Sequence, residues 1–217
     1  MTPNKEDYLK CIHELRETEE KISNKRIAEK MQFSAPAVSE MMKKLLAEKL
    51  IEKNSKTGYL LSEKGQTMVA GLYRKHRLIE VFLINHLNYS PKEVHEEAEV
   101  LEHTVSDLFI NRLESFLDYP RVCPHGGTIP KEGELLIEKY TQTLSSTQEL
   151  GTYRLVRVHD YFQLLHYLEN HQLAIQETIE LLDVDPFAQT FTISFLEKEL
   201  TIPHSIAQHL YVEKING

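Results

Sequence analysis

Two rows of nitrogen and oxygen donors carry the chemistry most visible in this 217-residue chain. His76 and Glu80 stand four apart, and His95, Glu99, Glu102 and His103 follow in a second row. On an α-helix, side chains three, four, seven or eight apart share a face, so each row would present imidazoles and carboxylates on one side. Two such rows on facing helices could enclose a divalent cation. An acidic row alone is ordinarily a solvated helix face, and Glu96 and Glu97 in the same segment fit that plainer reading. Matching chemistry on two successive helices favours the metal. Cys123 and His125 add a thiol and an imidazole two apart. Pro124 and Gly126 would by themselves explain a tight turn there, yet both donors could swing onto a metal.

The elements that must position these residues follow from periodicity. Tyr8, Leu9, Ile12 and Leu15 predict a first helix, and Ser23 or Asn24 can cap a second that holds Ile27, Ala28 and Met31. A third helix is expected from about Ala35 to Leu50, with Pro36 in its first turn, where a missing N–H costs nothing. Ile51–Lys53 and Tyr59–Leu61 read as a hairpin around residues 54–58. Three helices and a hairpin make a winged helix-turn-helix pattern. A long helix is expected from about Ser62 to Leu87, and another from Glu93 to Asp118 with a break near Thr104. Residues 119–147 shift to a Pro/Gly loop, a short helical piece and a polar linker from Thr141 to Gln148. Beyond it the period becomes two: residues 153–158, 178–184 and 190–195 (TFTISF) read as strands. The expected fold is mainly α with a small C-terminal β domain. Its parts are a winged helix-turn-helix over 1–72, a helical metal-binding and dimerisation domain over 73–140, and a small β domain over 148–217.

Charge and composition narrow the function. The net charge of −8 is uneven: residues 1–77 carry +5 and the remainder −13. A basic N-terminal third on an acidic protein suggests a local polyanion-binding module. No apolar run approaches transmembrane length, the charged start lacks a signal-peptide stretch, and two cysteines argue against a disulfide scaffold. A cytoplasmic protein without membrane attachment is expected. On the third helix, Val38, Met41, Met42 and Leu45 can face a core, leaving Ser34, Pro36, Ala37, Ser39 and Lys43 towards solvent. Small residues at a recognition helix permit close approach to base edges, while Lys43, Lys44, Lys53 and Lys56 could meet phosphates. Such a hairpin of helices can also serve protein contacts; the adjoining wing and local positive charge favour double-stranded DNA.

Five stretches then coincide with one family. EDYLKCIHEL, SAPAVSEMMKKL, YRKHRLIEVFL, EAEVLEH and CPHGGTIP, in this order, resemble the diphtheria toxin repressor family of metal-dependent transcriptional regulators. The C-terminal part resembles that family's FeoA-like small β-barrel. The resemblance implies a homodimeric repressor of metal-uptake genes with no enzymatic activity. It places a primary metal set on Asp7, Glu99, Glu102 and His103, and an ancillary set on His76, Glu80 and His95. Asp160 stands where similar proteins reach back to the ancillary metal. Carboxylates at Asp7 and Glu99 resemble the manganese branch, and hard oxygen donors suit Mn²⁺, with Fe²⁺ the alternative and Zn²⁺ able to substitute in vitro. Lys10 occupies a place where two-domain manganese regulators have a ligating Glu, so two separated sites are expected rather than a tight binuclear cluster. Cys11 is read as a core residue, and His159, His166, His171, His204 and His209 as structural or exposed. Two rival functions use the same residues: a metallohydrolase, and a winged-helix regulator sensing an organic ligand.

Overall fold

The computed structural model describes residues 5–215, and their contacts divide the chain into two units. The first comprises the chain up to Arg74 together with Pro130–Leu136. It opens with α1 (Lys5–Thr18), α2 (Asn24–Met31) and α3 (Ala35–Ala47), followed by β1 (Ile51–Asn54), β2 (Gly58–Leu61) and the start of α4 (Glu63–Leu87). Local chemistry sets these boundaries. The Ser23 hydroxyl accepts from the Arg26 N–H at 3.3 Å, the Ser34 hydroxyl accepts from the Ala37 N–H at 3.4 Å, and α2 stops at Gln32 in the left-handed region, φ 56°. The helices close over Leu9, Ile12, Ile27, Val38, Met42 and Leu45, joined by Leu50 and Ile51 from the hairpin. In the hairpin, Ile51 pairs with Leu61 and Asn54 with Gly58. Asn54 Oδ1 accepts from the N–H groups of Lys56 and Thr57 at 2.8 and 3.3 Å, which fixes the tip.

The second unit holds α4 from Lys75 onward, α5 (Pro91–Glu102), α6 (Asp107–Phe116) and a β fold. Ser90 and Glu93 form a reciprocal capping box on α5, and Ser106 caps α6, so the expected break near Thr104 separates two helices. Leu78, Ile79, Val94, Ala98, Ile110 and Leu113 make the helical core. The sheet is antiparallel, in the order β6 (Lys198–Pro203), β5 (Thr190–Phe195), β4 (Thr178–Asp185), β3 (Gly151–Val158), β7 (Leu210–Lys214). The alternation of TFTISF buries Phe191, Ile193 and Phe195 on one face. One helix, α7 (Phe162–His171), lies between β3 and β4, and a single helical turn, α8 (His204–Ala207), precedes β7.

Two expectations fail. The helical piece before Thr141 is absent: residues 130–140 form an irregular strap. Pro130 and the left-handed Gly133 (φ 78°) oppose a helix, and the Lys139 N–H donates to Thr128 Oγ1 at 3.0 Å rather than back along a turn. Instead, Leu136 packs against the core of the first unit, where Leu135 and Leu136 join Ile12, Leu60 and Val69 around a cavity of about 280 Å³. Nor is the stretch from Thr141 to Gln148 a free linker. It carries a 3₁₀ turn (Leu144–Ser146) whose Leu144 is fully buried in the β core, and the Val212 N–H donates to Gln142 O at 2.9 Å. The α7 helix was also not foreseen, its apolar run being short and lying within strand-patterned sequence.

Candidate metal centre

Four segments of the second unit converge on one buried donor cluster. Helix α4 carries His76 and Glu80 one turn apart, both with no exposed surface, His76 Nε2 lying 3.2 Å from Glu80 Oε1. Helix α5 contributes His95, whose ring meets that of His76 edge-on at 5.3 Å between centroids. Asp160, two residues past β3, places Oδ2 3.4 Å from His76 Nε2 and 3.7 Å from His95 Nδ1. The CPHGGTIP loop brings Cys123 and His125, with His125 Nδ1 3.0 Å from Glu80 Oε1. The donors fall into two overlapping groups, His76–Glu80–His95–Asp160 and Glu80–Cys123–His125, each with its donor atoms within 4.8 Å of one another. Glu80 belongs to both.

The polar atoms here suit a cation. Glu80 Oε2, His95 Nδ1 and both ring nitrogens of His125 are buried without a properly directed hydrogen bond among the described residues. Buried polar atoms are ordinarily paired, so several orphans aimed at one volume mark a place for an ion. Burial pushes the Glu80 carboxyl up, but His125 and His76 override this and hold it well below the usual carboxylate range. Burial likewise pushes the His125 imidazole down, and the Glu80 carboxylate outweighs it, raising His125 well above the usual histidine value. Without a cation, an imidazolium neutralises the carboxylate. The donor set of imidazole and carboxylate with one thiol fits a borderline divalent metal.

Glu102 links the two rows more closely than their spacing suggests. Its Oε2 lies 2.5 Å from His76 Nδ1 and its Oε1 3.4 Å from His103 Nε2. A carboxylate on one ring nitrogen orients the other for ligation, and here leaves His76 Nε2 facing Glu80 and Asp160. His103 caps the C-terminus of α5, and the exposed Glu99 lies 3.6 Å from His95 Nε2. Asp7 sits in the first turn of α1, in the first unit. There Lys10 is buried with its ammonium 5.7 Å from the Tyr73 ring centroid, and Cys11 lies in the core, its thiol pushed up to about 12 chiefly by burial. Beside Asp160, His159 stacks on Tyr161 and receives or gives a hydrogen bond at 2.8 Å with the Tyr211 hydroxyl, while His209 meets it edge-on. Their spacing, fifty residues apart, gave no sign of this grouping. Also unforeseen is a buried set of Arg77, Glu138 and Arg157 behind the Cys123–His125 loop.

In the first unit, Ser34, Pro36, Ala37, Lys43, Lys44, Lys53 and Lys56 are exposed. Ser39 is half-buried rather than open to solvent, because its hydroxyl accepts from Asn24 Nδ2 at 3.0 Å and ties α3 to α2. Lys44 pairs with Glu40 at 2.9 Å, an exposed ion pair of small energetic weight.

Comparison with known proteins adds a family. The profile described as iron dependent repressor, N-terminal DNA binding domain, matches residues 1–63; that for the metal binding and dimerisation domain of the same repressors matches 62–131; a FeoA domain matches 142–214. The diphtheria toxin repressor of Corynebacterium diphtheriae is 26% identical over 221 residues, spanning 97% of this chain and 96% of that protein. The iron-dependent repressor IdeR of Mycobacterium tuberculosis is 34% identical over 130 residues, 60% of this chain and 56% of that protein. Among solved structures, the manganese regulator SloR is 60% identical with a TM-score of 0.92, over 99% of this chain and 100% of that one. Zinc-bound ScaR is 57% identical with a TM-score of 0.95, over 98% and 100%. These relatives are transcriptional regulators, and the likeness runs through all three matched regions in order. The chain belongs to the iron-dependent repressor family, the family of the diphtheria toxin repressor.

Proposed function

We propose that this metal-dependent transcriptional repressor responds to Mn²⁺, with Fe²⁺ as second candidate, and acts as a cytoplasmic homodimer on double-stranded operator DNA. One observation carries the metal reading: the buried donor cluster around Glu80, with orphaned atoms on Glu80, His95 and His125. Its Glu80 and Asp160 carboxylates suit Mn²⁺, while its imidazoles and the Cys123 thiol explain why Fe²⁺ is second candidate and Zn²⁺ would substitute in vitro. SloR, a manganese regulator, and ScaR, a manganese-activated repressor, support the same choice, and ScaR holding Zn²⁺ or Cd²⁺ supports substitution by other divalent ions.

When bound, a divalent cation supplies Lewis-acid attraction for deprotonated imidazole, carboxylate and thiolate. The rest is the work of the chain. Glu102 orients His76, Glu80 and Asp160 offer anionic oxygens, and His125 gives up its proton to become a donor. Together these side chains join α4, α5, the Cys123–His125 loop and the end of β3 in one place. Glu99, Glu102 and His103, with Asp7 by family resemblance, are assigned to a second set. In the first unit, Ser34, Pro36 and Ala37 are assigned to base edges, with Ser39 holding the helix pair. Lys43, Lys44, Lys53 and Lys56 are assigned to phosphates. Metal binding then favours the DNA-competent arrangement, and by reciprocity DNA favours metal. Three domains, 1–72, 73–140 and 148–217, divide reading, metal binding with dimerisation, and tuning. Among the described residues no helix is long and apolar enough to cross a membrane.

Operator binding followed with and without chelator tests the reading. Mn²⁺ should restore tight binding to chelated protein, and Glu80→Ala or Glu102→Ala should abolish the response in a folded chain. Equal operator affinity in both conditions would overturn it.

A further inference from the structure

The loop that carries Cys123 and His125 cannot hold its own shape. Val122 and Thr128 face each other as an isolated antiparallel bridge, the Cys123 N–H donates to Gly127 O at 2.9 Å, and the Gly126 N–H donates to Cys123 O at 2.9 Å. So short a hairpin has no core and is marginal in water by itself. Its geometry is set from outside. At Thr128 both backbone groups are held: Arg77 Nη1 donates to the carbonyl at 2.5 Å, and the N–H donates to Glu138 Oε2 at 2.9 Å. Arg77 Nη2 closes the ring on Glu138 Oε1 at 2.6 Å. Arg157 backs the carboxylate at 3.7 Å, donates to Tyr140 O at 2.8 Å and lies 3.8 Å over the Tyr211 ring. On the far side of the loop, His125 O accepts from the Val158 N–H at 2.9 Å.

Two glycines leave room for these contacts. A Cβ on Gly127 would stand 2.6 Å from the Arg77 guanidinium carbon, and one on Gly126, at φ 83°, would stand 2.0 Å from Val156 O. Arg77 immediately follows His76 on α4, so about 100° of helical rotation separates a donor facing the cluster from a side chain gripping the loop. Only a planar fork serves a carbonyl and a carboxylate at once; a lysine ammonium in its place would act as a point charge. Buried ion pairs are poor sources of net stability, since desolvation offsets most of the attraction. Their use here is geometric.

We propose that Arg77 and Glu138, backed by Arg157, are positioning residues for the metal centre: they clamp Thr128 and thereby hold Cys123 and His125 in register with Glu80. The proposal rests on the reading that Cys123 and His125 ligate. Metal-free full-length protein titrated with Co²⁺ tests both, because a thiolate bound to Co²⁺ gives a charge-transfer absorption. Wild type should show the band and Cys123→Ser should lack it. Glu138→Gln offers one carbonyl oxygen where two carboxylate oxygens worked, and should need roughly tenfold or more Co²⁺ to reach the same band. Gly127→Ala, which deletes no charge but crowds the guanidinium, should behave alike, and Arg77→Lys should not restore the wild-type titration. In a Cys11→Ala background, alkylation of Cys123 in the metal-free protein should accelerate in both variants. Should Glu138→Gln fail to fold, Gly127→Ala decides by the same readings. A wild-type titration without the band sinks the ligand reading itself. A wild-type band with unchanged variant titrations and alkylation rates sinks the clamp alone.

Discussion

Glu80 is the residue on which both donor groups turn, and its surroundings dictate how the empty and filled sites differ. It is fully buried and remains anionic because His125 and His76 outweigh the burial that would protonate it. The same attraction raises His125 well above the ordinary histidine value against its own burial. A group whose folded value is raised stabilises fully below the unfolded value, and that contribution is lost as pH climbs through the folded one. In chelator, the melting temperature should therefore fall as pH rises above neutrality, when His125 loses its proton and strands the Glu80 charge. With Mn²⁺ present the fall should vanish, since Mn²⁺ needs His125 deprotonated. Mn²⁺ affinity should accordingly keep rising with pH beyond the range in which a free imidazole has finished titrating. Calorimetric melts with chelator and with Mn²⁺, from pH 6 to pH 9 in whole-unit steps of about 1, check both; a flat pair of curves would show that His125 and Glu80 do not exchange a proton for the metal.

At the scale of elements, the helix and hairpin proposed to meet DNA are separable by what their residues do. Lys56 follows an Asn54 turn that pins its backbone at the hairpin tip, and it is exposed. Lys56→Ala should weaken binding to all operator sequences alike and flatten the log–log salt dependence by about 0.9 per lost phosphate contact. Pro36 or Ala37 substitutions should instead change preference among operator variants, each lost base contact costing roughly 1–3 kcal/mol. Gel shifts over a salt series with variant operators distinguish the two, and an unchanged slope for Lys56→Ala would remove the hairpin from the phosphate contacts. These elements were legible because their signals are local: a cap at Ser23, Pro36 in the first turn of α3, a turn at residues 54–58, alternation in TFTISF, and donors four apart on α4. The clamp was not, because Arg77 and Glu138 are 61 positions apart and neither shares a spacing with a ligand. The strap misled for a related reason. Its residues are ordered by Thr128 and by the core of the first unit, so nothing in their own sequence periodicity describes them. The same holds for His159 and His209, which meet only once β3 and β7 pair.

On the proposed reading the whole molecule brings two reading heads to one operator, and its charge and exposed surface bear on how. Residues 1–77 carry +5 and the rest −13, so net attraction for phosphate lies in the N-terminal third of the chain. One such head makes few contacts, and a symmetric operator rewards two heads held at a fixed spacing. We propose helix α6 as the pairing face. Phe109 and Phe116, seven apart, share a face with the neighbouring Leu108; Leu108 is 69% and Phe116 65% exposed. Phe116 continues onto α4, with Phe82 and His86 rings at 6.2 and 5.0 Å from it. Contiguous exposed apolar surface of this kind marks an interaction site, and the matched family region is a dimerisation domain. Replacing Leu108 and Phe116 together by glutamate should yield a monomer by sedimentation velocity. None of the donors of the Glu80 cluster lies on α6, so Mn²⁺ titration of that monomer should resemble the wild type. Operator affinity should nevertheless fall by roughly 10²- to 10⁴-fold, the loss expected when a second head is no longer tethered to the first. A variant that stays dimeric would move the interface off α6. A monomer that keeps wild-type operator affinity would overturn paired reading altogether, leaving metal to act on each head alone.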